Sequence, residues 1–398
     1  EAVENFDGFP FPPDTRPRAC RDPESYGISV NGTNLTVSVI IPWLKESWEH
    51  MSGTMRALVH FTPDWLVEEY IFVSDGNEDT KEEELLAISS KVKVIALPER
   101  QGLIRAKMKG VDMAKAEVIV FMEAHCIVNK GWLQPLLHRL TLDPKTLAMP
   151  ALDIIPQTDW NQYHKTPPIV WRYEWNLNLI SGNPGRLSND ISEPYLSPGT
   201  SGGIFAMRKD WFVDLGLFDV GMLEWGGDHF ELTMKVWRCG GRIEVVPCSR
   251  IGHLFRDPAN RPYPVEVNQV VLNYKRLAEV WLKENPEHLQ HFYRMKPEAR
   301  SMKLASLEDQ HKQHAELSCK NMDWYLENVD VEMNWEKDRL CHPYVEGPDK
   351  CRGGGSNLPG GRFTITKDDI MPSIEYDKAM KVAEARRASA ALEGKAEL

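Results

Sequence analysis

From Leu35 to Asp153, short apolar runs alternate with longer amphipathic stretches. Thr36–Ile41 is a β-branched run suited to a strand buried on both faces. Glu46 to Phe61 has helical periodicity, and Tyr70–Val73 reads as a second strand ending at Ser74-Asp75-Gly76. Lys81–Ser89 is a helix, Val92–Leu97 a third strand, and Leu103–Lys115 a helix with Leu103, Ala106, Lys107 and Gly110 at helical spacing. Val118–Met122 is the fourth strand and stops at Glu123-Ala124-His125. This alternation predicts an α/β fold with a mainly parallel, helix-covered sheet. In such sheets ligands lie at the carboxyl ends of the strands, where Asp75, Glu123 and His125 fall.

Asp159 to Pro198 breaks the pattern: it is tryptophan-rich, has prolines and polar turns, and reads as an insertion over the sheet that could face a substrate. Gly202–Met207 and Arg242–Pro247 read as further strands with a helix, Asp228–Arg238, between them, and Asn268–Glu284 as a strong helix. Beyond His291 the chain turns polar. Residues 352 to 362 have the composition of a flexible linker, and the Ala/Lys/Glu-rich stretch from Tyr376 that of a solvated helix or loose tail.

Composition narrows the class of partner. The 398 residues are 42% hydrophobic, as in ordinary folded proteins, and carry a net charge of −11, which disfavours nucleic acid and anionic membrane surfaces. No apolar run is long enough to span a bilayer, and the chain begins at Glu1 without a signal-like segment, so a targeting or anchoring sequence is expected to have been removed or never present. None of the seven cysteines forms a CxxC pair, which argues against a structural zinc site. Asn31 and Asn34 head two N-glycosylation acceptor tripeptides, which tips the balance towards a secretory protein; a simple turn is the alternative.

Four clusters carry candidate chemistry. If Glu123 to His125 stay extended, both side chains point the same way, and a carboxylate with an imidazole suits Mn2+ or a similar borderline cation. His253 offers a third ligand, although a lone histidine is more often structural. In Trp225-Gly-Gly-Asp-His229 the indole offers a stacking wall and Asp228 a carboxylate for sugar hydroxyls; a turn with an N-cap explains the same residues. Arg100 and Arg105 open a helix, where they could clamp a diphosphate or sit on a solvated face. Asp75 could accept from a uracil imide or serve as a turn residue.

Together these pieces resemble the polypeptide N-acetylgalactosaminyltransferase family. The resemblance rests on Thr36–Ile41, Val73-Ser-Asp75, Arg100-Gln-Gly-Leu-Ile-Arg105, Phe121-Met-Glu-Ala-His-Cys126, Gly202-Gly-Ile-Phe205, Trp225-Gly-Gly-Asp-His229, Cys239-Gly-Gly241, the run from Pro247 to Arg256, and Arg276-Leu-Ala-Glu-Val-Trp281. They stand in the family's order over roughly residues 20 to 330, with Asp323-Trp-Tyr-Leu-Glu-Asn328 near the end.

The resemblance implies a GT-A fold (an N-terminal arm at 1–34, a catalytic domain at 35–330 and an extension at 331–398). It also implies a UDP-sugar donor, Mn2+, and retaining transfer of N-acetylgalactosamine to Ser or Thr of a polypeptide in the Golgi lumen, with a membrane anchor outside this chain. Carried over residue by residue, Glu123, His125 and His253 hold the metal, Asp75 and Arg105 the uridine end, and Gly203 and Asp228 flank the sugar. Arg256 and Tyr263 lie on a loop closing over the diphosphate, and Trp225 beneath the donor. Trp225, Asp228 and Arg256 are thereby the residues expected nearest the reaction, and the disulfides implied are Cys20–Cys248 and Cys239–Cys319.

The sequence departs from the family at several points. The family has Asp where Glu123 stands and Glu-Asn where Asp228-His229 stands; Ser74 and Pro42-Trp43-Leu44 replace polar or acidic positions. No β-trefoil pattern follows Asn328, so no lectin domain is expected in this chain. Two rival readings remain at this point. One is an inverting transferase with Asp228 as general base; the other is a sugar-nucleotide-binding protein without turnover.

Overall fold

A computed structural model describes residues 5–6, 9–21, 35–184, 192–256 and 261–336. Asn31, Asn34, Cys341, Cys351, the Gly-rich 352–362 stretch and the tail lie outside them. Strands β1 (Asn5–Phe6) and β2 (Phe9–Pro10) form a small hairpin in the N-terminal arm. The main sheet contains β3 (Val37–Trp43), β4 (Val67–Asp75), β5 (Val92–Leu97), β6 (Val118–Phe121), β7 (Cys126–Val128) and β8 (Thr146–Ile155). A separate hairpin, β9 (Val170–Tyr173) and β10 (Leu179–Gly182), precedes β11 (Tyr195–Leu196), β12 (Phe205–Arg208) and β13 (Arg242–Leu254). The sheet order is β11-β13-β8-β12-β6-β3-β4-β5, with β7 paired to β13.

β6, β3, β4 and β5 are parallel, as are β13 and β8, while β12 runs antiparallel between β6 and β8. The sheet is therefore mainly parallel with one reversed strand at its centre. All seven residues of β3 are buried because both faces are covered. Ile40 packs into one core, while Val37, Val39 and Ile41 pack into the other. Helices α1 (Trp48–Phe61), α2 (Glu82–Ile88), α3 (Leu103–Met113) and α4 (Leu133–Leu142) follow in chain order, and α1 and α4 cover the second face. On the first face α3 lies close against β3: a Cβ on Gly110 would come within 2.3 Å of the Ile40 side chain. That face is completed by α5 (Lys209–Asp214), α6 (Asp228–Arg238) and α7 (Val267–Trp281).

Several boundaries differ from the sequence reading for local reasons. The strand expected from Gly202 begins only at Phe205, since the two glycines form a bend. The strand expected to end at Pro247 continues to Leu254, so His253 lies on a strand. Its register with β8 shifts between Val246 and Arg250, and the extra residues Pro247, Cys248 and Ser249 form a bulge. Cys248 in that bulge is bonded to Cys20, and Cys239 at the end of α6 to Cys319. Cys126 is buried and a free thiol among the described residues. The insertion at 159–198 supplies β9 and β10, and the Arg172 guanidinium there donates to Asp330 at 2.6 Å. Met333, in the last described helix, is fully buried, and its carbonyl accepts the Trp175 indole N–H at 2.9 Å. Among the described residues no helix is long and apolar enough to cross a membrane.

Candidate active site

β3 and β6 end side by side, and the turns after them deliver Glu46 and Glu123 to the same edge of the sheet. His253 is the direct antiparallel partner of Cys126, which brings β13 against the residue following His125. The His125 carbonyl accepts from the Leu254 amide at 3.2 Å. Ala124 and His125 form a turn rather than an extended strand end, so the two side chains converge through the turn and not through strand alternation.

The convergence is tight. Glu123 Oε2 lies 2.7 Å from His253 Nε2 and 3.0 Å from His125 Nε2. One donor atom from each of the three residues falls within 4.8 Å of the others. Burial pushes the Glu123 carboxyl up, but His253 and His125 outweigh this and hold it well below the usual carboxylate range. Burial disfavours the charged form of both imidazoles; His125 is nevertheless raised by Glu123 and Glu46, while His253 is lowered because its carboxylate contact offsets only part of the burial. His253 Nδ1 is buried without a hydrogen-bond partner among the described residues. One carboxylate oxygen and two imidazole nitrogens at this spacing fit a borderline divalent cation such as Mn2+.

A cavity of about 240 Å³ opens above this cluster. Its lining includes Trp43, Glu46, Lys107, Glu123, His125, Gly203, Trp225, His253, Arg256, Arg261 and Tyr263. Gly203 lies against Glu123: a Cβ there would stand 2.4 Å from Oε1. The Arg261 guanidinium covers the Trp225 ring at 5.0 Å, and Arg100 lies 5.4 Å from the Tyr263 ring centroid while donating to the Pro264 carbonyl at 3.1 Å. Burial, followed by the nearby Glu123 charge, pushes the Tyr263 hydroxyl up. Residues 257–260, between Arg256 and Arg261, lie outside the described residues.

Three expected residues do not line this cavity. Both Asp75 oxygens are taken by backbone, accepting from Gln101 N at 2.6 Å and Gly102 N at 3.0 Å, so the carboxylate braces the start of α3. Burial raises its carboxyl despite those two bonds. Arg105 turns away and donates to the Val220 carbonyl at 3.0 Å. Asp228 is only 3% exposed and pairs with Lys107 Nζ at 2.6 Å. Burial pushes its carboxyl up, but Lys107 and His229 pull it well below the usual range. No described residue of the 159–198 insertion lines the cavity.

Lys107 and Glu46 are among the lining residues that escape sequence reasoning. Lys107 is read there as one position of a helix face, yet its ammonium donates to the Gly202 carbonyl at 2.9 Å as well as to Asp228. Glu46 is read as the first residue of a helix, whereas α1 starts at Trp48 with Ser47 as its cap. The available signal was the one applied to Asp75 and Glu123: an acid just beyond the carboxyl end of a buried strand. Glu46 accepts from His125 Nδ1 at 2.9 Å, His50 Nδ1 at 2.9 Å and Arg256 Nη2 at 2.6 Å. Burial raises its carboxyl, and those three donors more than reverse the effect.

Comparison with known proteins places this geometry. Residues 38–216 match the glycosyl transferase family 2 model and residues 184–257 the N-terminal domain of galactosyltransferase. The chain is 34% identical to polypeptide N-acetylgalactosaminyltransferase 10 of Rattus norvegicus over 84% of its own length and 55% of the relative. It is 33% identical to the inactive polypeptide N-acetylgalactosaminyltransferase-like protein 5 of Macaca fascicularis, covering 82% of this chain and 74% of that one. It thus spans about half the length of most of these curated relatives. The crystal structure of GalNAc-T7 with UDP, GalNAc and Mn2+ superposes with a TM-score of 0.68 at 29% identity, over 76% of this chain and 58% of that one. The fold is GT-A, as the resemblance implied.

Proposed function

The chain belongs to the polypeptide N-acetylgalactosaminyltransferase family, and from that premise we propose that it moves N-acetylgalactosamine from a UDP-sugar to Ser or Thr hydroxyls of a polypeptide, with retention and with Mn2+. The observation that carries this reading is the convergence of Glu123, His125 and His253 on one point below a cavity walled by Trp225, Arg256 and Tyr263. Bound by those three side chains, a manganese ion supplies Lewis-acid neutralisation of the charge that grows on a departing diphosphate. Arg256 adds a fixed positive charge at the same mouth, oriented by Glu46 before substrate arrives. Trp225 offers a flat wall for the donor.

The carboxylates support retention through what they are already holding. Among the described lining residues the acids are Glu46 and Glu123, and each accepts from histidine. Neither is free to act as a covalent nucleophile, which suits front-face attack with the leaving phosphate oxygen taking the acceptor proton. The inverting rival loses support, because Asp228 is buried and ion-paired with Lys107 and so is a poor general base. The two disulfides suit an oxidising secretory lumen, and the Golgi assignment rests on the family likeness.

A second reading, nucleotide-sugar binding without transfer, takes its support from the likeness to the inactive macaque relative. A screen of UDP-sugars with Mn2+ and a Ser/Thr-rich peptide library separates the two. The expected result is α-linked N-acetylgalactosamine on peptide, abolished in Glu123→Ala and His253→Ala. Tight UDP binding with no product from any donor defeats the transferase reading, and a β-linked product defeats retention.

A further inference from the structure

Glu46 sits where three cations or proton donors meet, and none of the motifs above assigns it a role. Its side chain is 5% exposed. The backbone that delivers it is held from several directions. Lys45 adopts a left-handed conformation (φ 50°), an uncommon choice for a residue with a side chain, and its amide donates to Asn77 Oδ1 at 2.7 Å. Asn77 Nδ2 in turn donates to the Trp43 carbonyl at 3.1 Å and to Ser74 Oγ at 3.0 Å, tying the ends of β3 and β4 together. Ser47 caps α1 immediately afterwards, accepting from the His50 amide at 3.2 Å. The carboxylate is thus set on a turn with little freedom to drift.

The two oxygens do different things. Oε2 faces His125 Nδ1, and Oε1 is shared by His50 and Arg256. An Nδ1–H that donates to Glu46 leaves the Nε2 lone pair of His125 facing Glu123 and His253, which is the tautomer a cation needs. Among the described residues His253 has no equivalent support on its own Nδ1. The orientation of the metal cluster therefore leans on one histidine, and that histidine leans on Glu46.

Resting on the functional reading above, we propose that Glu46 is a positioning residue that assembles the two halves of the site. Through one oxygen it fixes the tautomer and ring plane of His125 for the divalent cation; through the other it anchors Arg256 at the cavity mouth to face the donor's diphosphate. Cation site and anion-facing guanidinium are then built as one unit by a single carboxylate whose oxygens are committed to His125, His50 and Arg256.

The test uses Glu46→Gln, which keeps the volume of the side chain but leaves one acceptor oxygen for three donors. Mn2+ affinity is measured by calorimetry without sugar nucleotide, UDP affinity at saturating Mn2+, and the thermal midpoint as a control on folding. The expected result is Mn2+ affinity lower by roughly 10- to 100-fold, the range seen when a residue supporting a metal ligand is lost, with UDP affinity falling too and the midpoint nearly unchanged. A purely structural role moves the midpoint and leaves the Mn2+ affinity of the folded protein alone. Should Glu46→Gln fail to fold, Glu46→Asp, which retains the charge but falls a methylene short, is judged by the same measurement. Mn2+ binding equal to wild type overturns the proposal. Because metal binding needs no turnover, a wild-type protein that transfers no sugar defeats the functional reading without touching this comparison. A wild-type transferase whose Glu46→Gln variant holds Mn2+ equally well defeats this inference alone.

Discussion

Gly203 occupies a place that nothing larger fits without disturbing the Glu123–His125–His253 cluster. A methyl there would press on Glu123 Oε1 at 2.4 Å and Cδ at 3.2 Å. The neighbour that must yield is the end of a flexible side chain, so Gly203→Ala is expected to fold. The displaced carboxylate loses its shared contact with His125 and His253. Calorimetry should show Mn2+ binding weakened by about tenfold, in line with disturbed support of a metal ligand; affinity equal to wild type would mean that Glu123 has another productive rotamer. At this scale the sequence was legible wherever a residue's role followed from its own strand. Glu123 and His125 end an apolar run, and Trp225 stands beside paired glycines. Lys107 was hidden because its partner Asp228 lies 121 positions away, a distance across which hydrophobic periodicity carries no information, whereas Glu46 stood just past a strand end but was absorbed into the helix that follows. Asp75 shows the converse: a residue at the right strand end whose oxygens are already committed to backbone amides.

Helices α3 and α6 meet through the Lys107–Asp228 pair, with Asp228 at the start of α6, where a helix N-terminus also favours negative charge. Asp228→Asn leaves the Lys107 ammonium buried without its counter-charge, a loss of about 3–5 kcal/mol at neutral pH. The sign of its pH dependence follows from the lowered carboxyl. The unfolded chain takes up the proton near the ordinary aspartate value, about 3.9, before the folded one does, so the pair's contribution is full above that value and fades as pH falls below it. Urea unfolding of wild type and Asp228→Asn should therefore show a gap in stability at pH 7 that narrows towards pH 3. A gap of constant size would mean that the carboxylate charge is not what stabilises this junction. Among the elements, β3, β4 and β6 were readable because both faces of each strand are buried, and the edge strand β5, only partly buried, through its short apolar run between two helices. β8, although central, was not, since Pro150 and Asp153 interrupt its apolar run, and β13 was cut short on paper by Pro247 in its bulge.

For the molecule as a whole, the longest covalent tie runs from Cys20 in the N-terminal arm to Cys248, across 228 positions. Nearby, Thr15 Oγ1 donates to Asp153 on β8 at 2.6 Å, and Arg250 on β13 is paired with the same carboxylate. The arm thus buttresses the two strands that lead to His253. Cys20→Ser should destabilise the protein by about 2–4 kcal/mol, seen as a fall on the order of 3–6 °C in the thermal midpoint. The arm was legible only through family likeness; composition offered no way to pair seven cysteines. A midpoint unchanged by the substitution would show that packing of the arm alone supplies the buttress.

Glu123 and His253 are separated by 130 positions and belong to strands that meet only when the sheet is complete. No nascent or half-folded chain can offer the three-sided grip, so a cation held there would distinguish finished molecules from unfinished ones. Each tenfold rise in free ion above its dissociation constant adds about 1.4 kcal/mol to the native state alone. On the proposed function, a compartment's manganese supply would then set how long the folded protein survives as well as how fast it transfers sugar.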